Sequence, residues 1–172
     1  MRTALAAIAM LVAAPASADV VTVASEGFSL SRVETVSVPP EIVYAMLLRP
    51  SRWWSPSHTW SGDARNLSIA PEAGGCYCER LPGGGSVQHG VVVYAQPGKT
   101  LRLNASLGPL QGEGVTGALT WILKPVPGGT EIRQTYVVGG YIGGGADKFA
   151  APVDGVMTEQ LTRLKAALGK PK

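Results

Sequence analysis

The sequence predicts an α+β fold in which one curved antiparallel sheet covers its apolar face with a long C-terminal helix. Turn signals recur at strand-length intervals after residue 66: Pro71 with Gly74-Gly75, the run 82–85, Pro97-Gly98, Gly108-Pro109, 127–129 and 139–145. At the end of the chain Phe149, Val153, Val156, Met157, Leu161, Leu164 and Leu168 recur at intervals of three and four, with Glu159, Arg163 and Lys165 on the other side. That spacing is the mark of an amphipathic helix.

The elements follow in chain order. Residues 1–18 carry Arg2, an unbroken apolar stretch from position 4 to 14, Pro15 and the small triplet Ala16, Ser17, Ala18. This is the layout of a secretory signal peptide, cleaved near Ala18, and its apolar run is too short to span a bilayer. A periplasmic or secreted location is therefore expected. Residues 28–38 alternate in a strand-compatible way until Pro39-Pro40, and a short helical pair follows, beginning at 41–48, where Pro40 suits the first turn and Pro50 ends it. Strands are predicted near 66–70, 75–81, 87–95, 100–107, 115–125 and 130–139. Pro152 and Gly155 weaken the start of the last helix, whose regular part is expected from about Pro152.

Alternation assigns faces. Leu101, Leu103, Ala105 and Leu107 share one side of their strand, Val115, Gly117, Leu119, Trp121 and Leu123 one side of the next, and Ile132, Gln134, Tyr136 and Val138 one side of the last. Gln134 and Tyr136 thus stand among apolar neighbours, and buried polar groups need partners, which a lined pocket supplies.

Bulk composition limits the function classes. Removing the leader leaves about 154 residues, one domain with room for a core and a cavity. The net charge of +3 is spread over scattered basic residues with no run or stripe, which argues against nucleic acid as a partner. No later segment is long and apolar enough for a helical membrane anchor. There is no Ser-His-Asp spacing, no phosphate-cradling glycine loop and no carboxylate cluster of the two-metal kind. Enzyme signatures are absent, no cofactor is implied, and oligomeric state is not legible.

Several motifs fit one family. The segment Val38-Pro39-Pro40-Glu41-Ile42-Val43-Tyr44, Trp53-Trp54, Gly74-Gly75, Val91-Val92-Val93 with Pro97, Gly128-Gly129-Thr130 and Gln160-Leu161-Thr162-Arg163-Leu164 together make the chain resemble the START-like (SRPBCC) superfamily, on its polyketide cyclase/dehydrase-like and chaperone-activator-homology-like branch. The resemblance covers nearly all of residues 19–172. It implies a helix-grip fold and a deep cavity between sheet and C-terminal helix, its mouth near the loops; it implies no reaction.

The candidate site follows from these placements. Trp53, Trp54, His58 and Trp60 cluster in one connection and either cap the core or frame a cavity entrance. Tyr141 lies in the glycine-rich 139–145 segment, which reads as a mobile lid or a loose connection. With Leu107, Trp121, Gln134, Tyr136, His89 and Met157 these residues form the expected lining for a hydrophobic small molecule. Cys76 and Cys78, two apart on a strand, are open to three readings: inert thiols, a disulfide made possible by a bulge, or a metal site completed by His89. The register of the 82–86 turn decides whether His89 faces Cys78 or Glu79. In the latter case the pair is either an exposed ion pair or an acid–base couple inside the cavity. An exported carrier is the leading expectation. A cyclase or dehydratase using His58 or His89 with Glu79 is the second, and a protein-interaction module the third.

Overall fold

The structure is a computed structural model and describes residues 19–169; the expected leader and residues 170–172 lie outside the described residues. In chain order the elements are β1 (Asp19–Ala24), β2 (Gly27–Val36), α1 (Pro40–Leu47), β3 (Leu67–Ile69), β4 (Cys76–Arg80), β5 (Ser86–Gln96), β6 (Thr100–Ala105), β7 (Gly114–Val126), β8 (Gly129–Tyr141) and α2 (Asp147–Leu168). All eight strands join one antiparallel sheet in the order β1-β2-β8-β7-β6-β5-β4-β3. This is the α+β helix-grip arrangement the sequence predicts, with β1 as an additional edge strand. No helix among the described residues is long and apolar enough to cross a membrane.

The inward rows are those read from alternation. Leu101, Leu103, Leu119, Ile132 and Tyr136 are all buried, as are Trp121 and Val138. α2 lays Met157, Gln160, Leu161, Leu164 and Leu168 against them. Arg32 on β2 reaches across this interface, donating to Asp154 Oδ1 at 2.6 Å and to the Asp154 carbonyl at 3.1 Å. Asp154 on α2 is therefore the counter-charge of a buried guanidinium.

Three expectations need correction. The second member of the helical pair is replaced by 3₁₀ turns at Pro50–Arg52, Pro56–His58 and Ala64–Asn66, because Pro50 and Pro56 each start a turn that the following residues do not extend. α2 starts at Asp147, ahead of Pro152. Burial of Ala146 and Ala150 holds its first turn, and the helix runs on through Pro152, which has no N–H for the Lys148 carbonyl. Finally, Gly139 and Gly140 are not lid residues: β8 runs through them to Tyr141, pairing Gly139 with Thr116 and Gly140 with Val115. Gly140 has φ +132°, and a Cβ there would lie 2.4 Å from the Gly114 carbonyl oxygen, so glycine serves close strand packing at this point.

The deep half of the space under α2 is filled. Trp53 packs edge-on against Trp121 at 6.5 Å between ring centroids, and Phe28 meets Tyr136 in the same way at 6.5 Å. The Tyr136 ring lies over Gly117, where a Cβ would come within 2.5 Å of it. Its hydroxyl donates to the Ala105 carbonyl at 3.0 Å and accepts from the Leu107 amide at 3.3 Å. Burial pushes this phenol well above its ordinary range.

Candidate ligand cavity

What remains open is the end of the grip nearest the 54–60 connection. There a half-open cavity of about 380 Å³ is bounded by the connection itself, His89 of β5, the Leu107-Gly108-Pro109 corner and the N-terminal half of α2. Its size lies at the low end of the roughly 300–1,000 Å³ of small-molecule sites. Phe149, Val153, Val156 and Met157 supply the helix wall, and Trp54 and Trp60 the opposite one.

Of the residues expected in the lining, the structure brings Trp54, His58, Trp60, His89, Leu107 and Met157 to this cavity. Trp53, Trp121, Gln134 and Tyr136 belong to the packed interior instead, each no more than 2% exposed. Tyr141 is 78% exposed at the end of β8 and is not part of the lining. Alternation places a residue on the inner face but says nothing of how far along the helix axis the interior is filled. Phe149, Val153 and Val156 were legible as members of the apolar stripe of α2, though not as cavity wall.

The 54–60 connection is held by its own polar atoms. Trp54 Nε1 donates to the His58 carbonyl at 2.9 Å, and Trp53 Nε1 to the Met46 carbonyl at 2.9 Å. Gln160 on α2 accepts from the Ser55 amide at 2.8 Å, tying the connection to the helix. At the rim, His58 pairs with Glu159 at 2.9 Å, so this helix residue also has a partner.

The polar feature of the wall is His89. β4 and β5 pair with a break in register: Tyr77 lies opposite Gly90, but Cys78 lies opposite Gln88. His89 is the extra residue of this bulge, and it turns inward to 5% exposure. Its Nε2 lies 2.8 Å from Glu79 Oε2, with Glu79 fully buried, so the pair is no surface ion pair. Glu79 also accepts the backbone amides of Trp60 at 3.1 Å and Ser61 at 2.5 Å. Burial alone would raise this carboxyl, but the donors from Ser61, Trp60 and His89 outweigh it and hold the group below its usual value. Burial lowers the His89 imidazole against the opposing pull of Glu79.

A carboxylate beside a neutral imidazole fixes the tautomer. Ionised Glu79 only accepts, so His89 carries its proton on Nε2 and leaves Nδ1 as an acceptor, facing Gln111 Nε2 at 3.4 Å. Tyr77 links two wall residues, meeting Trp54 edge-on at 5.9 Å and His89 at a tilt at 5.0 Å between ring centroids. The arrangement sets a neutral imidazole, chemically a weak base, in a largely apolar wall whose other polar groups are Ser57, His58 and Thr59.

Cys76 and Cys78 are joined by a disulfide with Cα atoms 5.4 Å apart, inside the usual window of about 4.4–6.8 Å. With both sulfurs so engaged and His89 turned inward, the three do not form a metal-ligand set. Among the described residues no group of three His, Cys, Asp or Glu is placed to hold a metal ion.

A curved antiparallel sheet gripping a C-terminal helix, with a lined hollow at one end, defines a helix-grip protein of the ligand-binding type. The chain belongs to the family described as polyketide cyclase / dehydrase and lipid transport, whose model matches residues 27–169. Solved structures share the fold at low identity. Protein MLL2253 from Mesorhizobium loti is 17% identical with a TM-score of 0.59, over 84% of this chain and 98% of its own. An uncharacterized protein from Rhizobium leguminosarum is 18% identical with a TM-score of 0.62, over 83% and 95% respectively. The Aha1 dimer from Colwellia psychrerythraea is 21% identical with a TM-score of 0.57, over 81% and 95%. Among curated proteins no relative matches the chain.

Proposed function

We propose that this protein is an exported carrier that shields a hydrophobic small molecule in the cavity between the 54–60 connection and α2. The observation that carries the reading is the character of the wall: aromatic and aliphatic side chains on both sides, with the His89–Glu79 couple as its buried polar feature. Apolar burial, at about 25 cal/mol per Å², supplies the affinity. His89 Nδ1, which faces Gln111 Nε2 at 3.4 Å, accepts from a ligand hydroxyl or amide in exchange for that contact. Export is supported by the signal-like leader and is consistent with a disulfide, which persists in oxidising compartments.

The test is occupancy of the hollow. Val156→Trp fills it from the half-buried face of α2 and is expected to weaken binding of the fluorophore 1-anilinonaphthalene-8-sulfonate at least tenfold, with little change in unfolding temperature. Native mass spectrometry of protein purified from its own host is expected to reveal an apolar adduct that denaturation releases. Unchanged binding in the Val156→Trp protein, together with no extractable small molecule, would sink the proposal.

The buried couple favours one other reading, a cyclase or dehydratase in which His89 takes a substrate proton on Nδ1 while Glu79 stabilises the resulting imidazolium. His89→Ala separates the two. A carrier keeps most of its affinity, whereas an enzyme retains its ligand and loses turnover.

A further inference from the structure

We infer that the Cys76–Cys78 disulfide is a register lock for the β4–β5 hairpin, and that it is this bond which keeps His89 inside the cavity wall. The carrier reading is not needed for this inference, which concerns where His89 points whatever the cavity holds.

An ordinary strand advances about 3.3 Å per residue, so residues two apart lie about 6.6 Å from each other. The disulfide draws Cys76 and Cys78 to 5.4 Å and so shortens β4 across Tyr77. The partner strand answers at the same place. Opposite the single step from Tyr77 to Cys78, β5 takes two, from Gly90 through His89 to Gln88. A pinched strand facing a bulged one is a matched pair, and the bulge residue is the one that reaches Glu79.

Without the bond, β4 can take its full rise and the bulge loses its reason. Regular pairing onward from Tyr77 and Gly90 would set His89 opposite Cys78, on the outer, half-buried side of β4, and Gln88 opposite Glu79. A shift of one residue exchanges the faces of every side chain beyond it. Two features make the second register tolerable. Gln88 would bring an amide donor to Glu79 in place of the imidazole, so the buried carboxylate keeps a partner besides the Trp60 and Ser61 amides. The connection that must absorb the residue is Pro82-Gly83-Gly84-Gly85, where Gly83 and Gly84 already have φ of +75° and +87°.

The chemical step is thiol–disulfide exchange. A dithiol reductant gives up two electrons and two protons, the Cys76–Cys78 bond opens to two thiols, and the reductant leaves as its own disulfide. The bond is within reach of such a partner: both cysteines are half-buried, and Gln88 Nε2 approaches Cys76 Sγ from the solvent side at 3.8 Å.

The experiment reads register directly in the full protein. Cross-strand nuclear Overhauser contacts are recorded before and after reduction with dithiothreitol, reduction being confirmed by a mass gain of two hydrogens, and again in Cys76→Ser/Cys78→Ser. The chain has two histidines, so ring-labelled His89 is assigned by loss of the other signal in His58→Gln. The expected result is that Cys78 changes its cross-strand partner from Gln88 to His89, and that the His89 ring proton exchanges with water at least tenfold faster. The Trp60 and Ser61 amides should remain protected. Retention of the Cys78–Gln88 pairing with His89 still against Glu79 overturns the inference. So does loss of protection throughout the sheet, which would make the bond a general staple; the reduced wild-type protein decides this even if the double variant does not fold. A register change without any change in fluorophore binding supports the lock and counts against His89 as ligand anchor, keeping the two proposals separate.

Discussion

A neutral imidazole buried against a carboxylate leaves a signature in the pH dependence of stability. His89 is held below its ordinary value in the fold, whereas in the unfolded chain it titrates near 6.5. Between those two values the unfolded chain binds more protons, so stability is full above about pH 6.5 and falls as the solution is acidified through that window. Glu79, also lowered, adds a loss of the same sign that begins only below the ordinary carboxyl value near 4.3. Thermal unfolding followed from pH 8 to pH 3.5 should therefore show two successive declines. His89→Gln, which still donates to Glu79, should flatten the upper one and leave the lower. The two registers available to His89 were legible in the sequence, because the candidates Cys78 and Glu79 were both in range. The choice between them was not, since a bulge is set by the partner strand in space and has no signature in the composition of β5.

At the scale of elements, the Arg32–Asp154 pair joins β2 to α2 with side chains only 7% and 17% exposed. Removing one partner strands a buried charge, so Asp154→Ala should cost about 3 kcal/mol in urea unfolding. The double change Arg32→Met/Asp154→Ala should recover most of that, because an apolar pair needs no compensation. A double variant no more stable than Asp154→Ala alone would show that the charge was never the issue. The pairing was hidden from the sequence: Asp154 sits on the outer-looking part of the helical pattern, and Arg32 on an inward position of β2. Alternation did place the inner faces of β6, β7 and β8 correctly, since a period of two is a local property. β1 escaped notice because a short edge strand is defined by the neighbour it pairs with, here β2. The 139–145 run was legible as glycine-rich, yet β7 recruits its first residues into the longest ladder of the sheet.

For the molecule as a whole, the division of the interior matters more than its total volume. The aromatic block of Trp53, Trp121, Phe28 and Tyr136 packs the interior directly beneath the hollow, Tyr136 bonding the amide of the wall residue Leu107, and about 380 Å³ stays open near the 54–60 connection. Affinity for a homologous series of alkyl ligands should therefore rise about fourfold per added methylene, corresponding to about 0.8 kcal/mol each, and then level off once the hollow is full. Isothermal titration calorimetry across such a series would locate the break; a steady rise through the longest chains would mean that the block yields. Sequence reasoning could not draw this boundary, because tryptophan and tyrosine serve equally well as filler and as wall.

The aromatic block has one more consequence. On the carrier proposal, a hollow with so solid a floor keeps its shape when emptied, so release of a ligand need not entail partial denaturation. Cargo then raises the melting temperature only through mass action, in proportion to the logarithm of its free concentration.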